Sequence, residues 1–454
     1  MSQESGSCAS CLSCLSVLLV FRLKTSEQNG ITEVLFKKTG TLMFRSAYSS
    51  FTLRLVFLST LIPMLATHHL EATAPPYPAA THNQQQVANQ LQSITNPTEV
   101  QQKILNLFNG ATVEETQRML GAMSGEQYTT LFTSMEIINR QFIRRLYDPL
   151  RPLISNPCSY EDDVYELCSA KGIKAWAEGT VNRSFLDGTE NAPGFKMSGY
   201  ELSGGAFKRL DPVWTLGFGL CYAIDHFHYN IGGSGKTNTV LGALYALYRP
   251  AHYYALVDLV FGYANNDMHR KIAIIENEDP KPENSVDSIL LGHSKPNVSD
   301  VSFYGELGVD WDCSCVLIQP FIGLEAGQLK RDCKVEHHSL DVDLNLSGKT
   351  MTSAYSRVGV HFTTPENCYD LFFALDLAWQ YRLTSFKNDL KAKFVNYGDA
   401  FIITGIPVER NSASMAFTVW SEIFDGWTLY LQASGERWKR VSNYDITGGL
   451  IFKW

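Results

Sequence analysis

The stretch YDLFFALDLAWQYR, Tyr369 to Arg382, changes character at every residue. Tyr369, Leu371, Phe373, Leu375, Leu377, Trp379 and Tyr381 form one set; Asp370, Phe372, Ala374, Asp376, Ala378, Gln380 and Arg382 form the other. Successive side chains of a β-strand point to opposite faces, so the segment reads as a strand with one apolar face and one mostly small or polar face. Aromatic residues close both ends of the apolar face. That is the pattern of a strand that meets lipid on one side and an aqueous or polar lumen on the other.

Working outward, the same alternation recurs. Trp214, Leu216, Phe218, Leu220, Tyr222 and Ile224 alternate with Thr215, Gly217, Gly219, Cys221, Ala223 and Asp225. Phe303, Gly305, Leu307, Val309 and Trp311 oppose Glu306 and Asp310; Trp427, Leu429 and Leu431 oppose Thr428, Gln432 and Glu436. Twelve segments are predicted: 174–185, 197–208, 213–225, 238–248, 252–263, 302–312, 316–327, 353–363, 369–382, 400–423, 427–436 and 443–454. In the tenth, Gly405 and Pro407 interrupt the pattern, which places its spanning part at Ser412–Glu422 after a strand-like lead-in. Short connections (209–211, 249–251, 313–315, 364–368, 424–426) alternate with longer ones (226–237, 264–301, 328–352, 383–399). An outer-membrane barrel has short periplasmic turns and long external loops, and an even strand number returns both barrel ends to the periplasmic side. The expected fold is all-β: a twelve-stranded antiparallel transmembrane outer-membrane β-barrel over 172–454.

The composition agrees. Of 454 residues, 45% are apolar, 12% aromatic and only 19% charged, a mix that suits a chain facing something other than water. The net charge of -8 and the absence of a Lys/Arg cluster argue against a nucleic-acid partner. No apolar run reaches the ~18 residues of a transmembrane helix.

Ahead of the barrel the chain changes twice. Residues 43–74 read as a signal peptide: Arg45 and Arg54 flank Leu55 to Ala66, an apolar core of 12 residues, and Ala72-Thr73-Ala74 offers a cleavage pattern. A signal that begins at Met43 makes 1–42 a mis-assigned or extended N-terminus. Residues 75–97, rich in Pro, Ala, Gln, Asn and Thr, read as a flexible linker or minimal passenger. From 98 to 150 the period becomes helical. Leu131, Met135, Ile138, Phe142 and Leu146 form one apolar stripe, with Arg140, Arg144 and Arg145 off it. Ser124 and Gln127 have capping-box spacing. A helix from Gly125 to Asp148 is about 36 Å long at ~1.5 Å per residue, enough to cross an apolar band of ~25 Å.

Chemistry-bearing motifs are few. Gly232-Gly233-Ser234-Gly235-Lys236-Thr237 lacks the leading glycine of a P-loop, because Asn230 stands there. Asp225, His226 and His228 are a weak metal set at one strand end. Cys8, Cys11 and Cys14 lie upstream of the apparent signal. Cys158 and Cys168 are a possible disulfide in an oxidising compartment; with seven cysteines after the signal, at least one has no intramolecular partner. No nucleophile elbow occurs. No enzyme activity, metal or cofactor is expected.

Four stretches, in this order and spacing, resemble the translocator (autotransporter) β-barrel domain of type V secretion. They are MSGEQYTTLFTSM (123–135), similar to the family's linker; KAWA (174–177), similar to its first strand; FIITGIPVERNSA (401–413), similar to the lead-in of its tenth; and GGLIFKW (448–454), similar to its closing strand, with Trp454 in place of the more usual Phe. The resemblance covers roughly 85–454. In the closing strand Tyr444, Ile446, Leu450, Phe452 and Trp454 resemble the signal read by the barrel-assembly machinery. The family implies a location in the outer membrane of a diderm bacterium, with lipid as a partner and loops at the cell surface. It also implies that the helical linker plugs the pore and that a passenger crosses. Arg140, Arg144 and Arg145 would then meet lumen carboxylates such as Glu306, Asp310, Asp376 or Glu422. Only about 20–30 residues separate the signal from the helices, so the expected cargo is a short N-terminal segment. The alternatives are a porin-like channel and an adhesin that binds a host-cell surface through its long loops.

Overall fold

The computed structural model describes residues 77–155, 173–272, 290–313, 316–338, 340–364, 371–385 and 387–453. The signal region at 43–74, the 1–42 stretch with Cys8, Cys11 and Cys14, the Cys158–Cys168 pair and Trp454 lie outside the described residues.

Twelve long antiparallel strands form a closed ring. They are β1 Ile173–Leu186, β2 Phe195–Arg209, β3 Trp214–Tyr229, β4 Ser234–Tyr248, β5 Tyr253–Ile272, β6 Asn297–Val309, β7 Val316–Arg331, β8 Lys349–Thr363, β9 Phe372–Arg382, β10 Asn411–Phe424, β11 Trp427–Trp438 and β12 Val441–Lys453. Each pairs with its neighbour in sequence, and β12 returns to β1, from Lys174 opposite Lys453 to Leu186 opposite Val441. Closure satisfies every strand's backbone without an edge, as a hydrocarbon environment requires. Both barrel termini lie at the edge that carries the short turns, because Ile173 stands opposite Lys208 at the end of β2.

Burial follows the two-residue period. On β9, Phe372, Ala374, Ala378, Gln380 and Arg382 are buried inside, whereas Leu371, Leu377 and Trp379 are exposed outside. Around the ring, Leu202, Leu216, Phe218, Leu220, Leu244, Phe261, Leu307, Ile322, Met415 and Leu431 are exposed on the outer face. In water this apolar belt would be untenable; it is a lipid-facing surface. Two aromatic girdles bound it. Trp214, Tyr248 and Tyr253 cluster with ring centroids 4.8 and 6.1 Å apart near the short turns, joined by Trp427. Tyr200, Tyr222, Tyr263, Trp379 and Tyr444 mark the other side. Tyr253 and Tyr263 stand ten residues apart on β5. That is ~33 Å of strand at ~3.3 Å per residue, or roughly 25 Å along the barrel axis at a tilt of about 40°.

Several boundaries differ from the sequence expectation. β3 and β4 continue as a hairpin well beyond the girdle, which shrinks the expected 226–237 loop to four residues, 230–233, turned by Gly232 (φ 91°) and Gly233 (φ 92°). Gly235, Lys236 and Thr237 are therefore strand residues. The strand-like lead-in at 400–411 leaves the barrel. Phe401–Thr404 joins Lys334–Val335, Leu344–Leu346 and Asp389–Phe394 in a separate four-stranded sheet built from the loops after β7 and β9. The stretch expected to be a flexible linker contains a helix, α1 His82–Gln92, started by a capping box between Thr81 and Gln84. Val87, Ala88 and Leu91 of α1 share a core with Leu346, Leu390, Phe394, Phe401 and Ile403 of the small sheet, and that burial outweighs a composition of modest helix propensity.

Two more helices follow, α2 Glu99–Asn106 and α3 Val113–Ser124, each opened by its own capping box at Thr98/Gln101 and Thr112/Glu115. The expected helix from Gly125 to Asp148 starts later. Gly125 takes the left-handed conformation (φ 74°) and stops α3, and the Ser124 hydroxyl donates back to the Gly121 carbonyl instead of capping forward. After a 3₁₀ turn at Glu126–Thr130 comes α4 Leu131–Arg145, then a 3₁₀ turn at Asp148–Leu150 that contains Pro149, and the short α5 Arg151–Ser155.

The filled barrel lumen as candidate functional site

Residues 126–155 thread the lumen from end to end. At the long-loop end Arg331 of β7 donates to the Tyr128 carbonyl (3.1 Å), and the Tyr128 hydroxyl donates to Glu336 (2.6 Å). Arg270, at the far end of β5, forks onto Glu336 (2.9 and 2.5 Å) and reaches the Ala122 carbonyl (3.1 Å), which ties α3 to the barrel rim. At the short-turn end Gln319 of β7 donates to the Ile154 carbonyl (3.1 Å), and the Ser155 and Thr363 hydroxyls lie 3.0 Å apart. Every residue of helix α4 except the partly exposed Arg144 is buried, polar residues included, because the barrel wall surrounds it. The apolar stripe Leu131, Met135, Ile138 and Phe142 is buried, and the off-stripe arginines are carried into the wall as well.

Each arginine finds carboxylates. Arg140 Nε lies 3.5 Å from Glu325 Oε2 and its Nη2 lies 3.3 Å from Glu436 Oε1, with the guanidinium 4.4 Å from the Tyr355 ring centroid. Arg144 donates to Glu436 Oε2 at 2.6 Å. Arg145 pairs with Glu178 (3.2 Å) and Glu201. Arg151 donates to Asp376 at 2.9 Å. In the reverse sense, Glu136 of α4 accepts from Arg382 of β9 (2.8 Å) and from the Tyr355 hydroxyl of β8. Charge-assisted pairs of this kind fix orientation as well as supply energy.

The wall residues named from the sequence fare unevenly. Asp376 faces the lumen but pairs with Arg151 and with His361 Nδ1 (2.5 Å), not with α4. Glu306 faces the lumen and accepts from Tyr254 (2.8 Å) and Tyr304 beside His361. Asp310 sits at the short-turn rim, held by Arg249 (2.6 Å) and Gln319 (2.8 Å). Glu422 is exposed on β10, next to a register shift, and accepts from the Gly426 amide at 3.2 Å. The carboxylates that receive the arginines are Glu178, Glu201, Glu325 and Glu436. All four have inward parity in their strands, and that parity was the signal available in the sequence. The rejected metal set is split by the strand: Asp225 points inside, while His226 and His228 point out. In the closing strand Tyr444 and Ile446 face outward, with Leu450 and Phe452 on the same face.

Little space remains. A pocket beside α4, lined among others by Gln141, Arg144, Arg145, Arg151 and Glu306, has a free volume of about 30 Å³, room for a few waters. The barrel is a plugged one.

Above the pore Asn83 of α1 joins three segments. Its Nδ2 donates to Glu126 (3.1 Å), to the Asn191 carbonyl (3.1 Å) and to the Thr404 carbonyl (3.0 Å), and its Oδ1 accepts from the Thr404 amide (2.9 Å). Burial pushes the Glu126 carboxyl up to about 8. The folded state therefore holds a proton on Glu126 that the unfolded chain loses near pH 4.5. This contribution is complete at acid pH and is lost as pH rises through about 8. Opening of the helical cap is expected to become easier as pH rises from about 5 to about 8, by up to about 1.4 kcal/mol per pH unit, and to level off above that, and Glu126→Gln is expected to flatten that slope. Limited proteolysis between α1 and α3 across this pH range reads the effect.

A closed twelve-stranded barrel with a lipid-facing belt and a helix through its lumen defines the outer-membrane translocator class. The sequence model of the autotransporter β-domain matches residues 175–434, more than half of the chain, and the protein belongs to that family. Comparison with curated protein sequences finds no match. Among solved structures the fold is similar to the translocator domain of the autotransporter NalP from Neisseria meningitidis. Identity is 13%, TM-score 0.54, and the match covers 71% of this chain and 98% of that one. It is also similar to the β-domain of the Bordetella autotransporter BrkA, with 15% identity, TM-score 0.41, and 63% and 100% coverage. The protein is an outer-membrane translocator barrel.

Proposed function

We propose that the chain carries its own N-terminal segment through the barrel and displays it, with the long loops, at the cell surface, after which residues 126–155 remain as the plug. The observation that carries this reading is the direction of the helix. Its N-terminal end is held at the long-loop rim by Arg270 and Arg331, its C-terminal end at the short-turn rim by Gln319 and Thr363. Short turns face the periplasm in such barrels, so α1 to α3 and whatever precedes them lie on the outside. The domain's role is then secretion rather than catalysis. The outward row Tyr444, Ile446, Leu450 and Phe452 is the feature for the barrel-assembly machinery to recognise during insertion. The filled lumen speaks against an open porin-like channel.

An epitope tag placed just before Tyr77 tests the orientation. Intact cells are expected to bind the antibody as well as permeabilised cells do, with a boiling-dependent gel shift confirming the folded barrel. A tag that is reached only after permeabilisation would put the helix the other way round and end the proposal.

A further inference from the structure

On the outer face of β5, beyond the Tyr263 girdle, Asp267 and His269 project on the same side two residues apart. His293, on the strand Leu290–Ser294, stands directly opposite His269 in the register. Asp267 is four residues past Tyr263, ~13 Å further along the strand at ~3.3 Å per residue, and so outside the apolar band. The two imidazole rings stack with centroids 4.6 Å apart at an interplanar angle of 7°. Both present Nε2 to the same carboxylate oxygen, Asp267 Oδ1, at 3.3 Å from His269 and 2.7 Å from His293.

We propose that Asp267, His269 and His293 form a binding site for a divalent transition-metal ion of the zinc type. The three ligand atoms lie within 4.8 Å of one another. A tetrahedral ion with arms of about 2.0–2.1 Å needs its ligands roughly 3.3 Å apart. The His269–Asp267 distance already fits, and the His293–Asp267 distance must lengthen by about half an ångström. Two neutral imidazoles and one carboxylate are a donor set that zinc accepts, leaving a fourth position open. Of the two contacts only that of His293 is a hydrogen bond, whereas an ion would engage both ring nitrogens and the carboxylate together. The supports are already in place. Lys295 Nζ holds the other carboxylate oxygen, Oδ2, at 3.1 Å and so fixes the carboxylate plane, the job of an outer-shell partner. The backbone of His293 is bonded both ways to His337 (3.0 and 2.9 Å), which carries His338 into the cluster on a left-handed backbone (φ 79°) with its ring 6.3 Å from that of His293. Water or His338 takes the fourth position. With His269 half exposed, an ion reaches the site from solvent. Bound there, it clips β5 to Leu290–Ser294.

The test uses the full chain, extracted in detergent, stripped with chelator and titrated with Zn²⁺ by calorimetry and with Co²⁺ by visible absorption. One ion per chain is expected, with a tetrahedral Co²⁺ spectrum. Asp267→Asn and His293→Ala are each expected to weaken binding by more than the roughly 10–100-fold that follows loss of an outer-shell partner. His226→Ala, which removes an outward imidazole from β3, is expected to change nothing. A boiling-dependent gel shift identical to wild type shows that each variant is folded. Absence of stoichiometric binding, or full-affinity binding in folded Asp267→Asn and His293→Ala, would overturn the proposal and leave only adventitious binding by surface histidines.

Discussion

Arg145→Met is expected to loosen the plug by about 3–5 kcal/mol, because it strands two buried carboxylates at once. Arg145 is 1% exposed and bridges Glu178 of β1 and Glu201 of β2, both fully buried. Neither carboxylate has another cation within ion-pair distance among the described residues. Glu178 accepts from the Tyr430 hydroxyl (2.6 Å) and Glu201 from Asn182 (2.9 Å), and these neutral donors do not replace a positive charge. The Coulombic attraction offsets the cost of burying the charges only while the group is complete, so removal of the single cation costs far more than removal of the set. The triple variant Arg145→Met/Glu178→Gln/Glu201→Gln is therefore expected to recover most of the loss. Arg144→Met is expected to cost less, since Arg144 is more exposed (18%) and its partner Glu436 keeps Arg140. Single-channel conductance in planar bilayers reads plug release directly: Arg145→Met is expected to show open states that wild type lacks. Unchanged conductance together with unchanged thermal unfolding in Arg145→Met would show that the ion pairs do not hold the helix.

The barrel was legible because its signal is local and repeated. Each spanning strand alternates about five times on its outer face, and chance does not supply twelve such runs in order. The loop regions were not legible. Phe401 and Ile403 alternate like a barrel strand, yet their partners are Ala392 and Leu390 of a second sheet, which packs against helix α1. Nothing in the alternation says which sheet a strand joins. The helix was legible as an amphipathic stripe, but its start was not. Ser124 and Gln127 have capping spacing, and what decides is the left-handed Gly125 between them, which ends α3 and exposes no forward donor to Ser124. The arginines were identified and their partners were not, because parity picks out every inward carboxylate equally. Which one meets Arg140 depends on the depth and rotation of the helix, and these are set by long-range contacts such as Arg331 to Tyr128. Glu422 has the right parity and lies at the rim, so parity without depth misplaces it.

Gly449→Val is expected to be the most damaging small substitution in the barrel wall. On the inner face an aromatic ring lies flat over a glycine directly opposite it in the register at four seams: Tyr245 over Gly217, Tyr254 over Gly308, Phe321 over Gly359 and Tyr430 over Gly449. A Cβ on Gly449 would lie far inside van der Waals contact of Tyr430 Cζ and of its hydroxyl oxygen. The ring cannot tilt away without taking its hydroxyl off Glu178, which is the carboxylate that also holds Arg145. Overpacking costs about 1–3 kcal/mol and loss of a hydrogen bond to a charged group about 1.5–3 kcal/mol, and here one substitution incurs both. Tyr430→Phe isolates the second part, since it keeps the ring and removes the hydroxyl. Gly449→Val/Tyr430→Ala relieves the clash and is expected to be more stable than the sum of its single changes predicts. The neighbour Gly448 supplies the contrast. It has the opposite parity, its Cβ position meets only Leu431 at 3.4 Å, and Gly448→Val is expected to shift stability by less than about 0.5 kcal/mol. Urea titration of the detergent-solubilised barrel, followed by gel mobility, separates the two. Equal midpoints for Gly448→Val and Gly449→Val would mean that the ring-over-glycine seam adds nothing beyond the backbone ladder. Unequal midpoints, in the stated order, would tie the seam between β11 and β12 to the seating of the helix through Glu178.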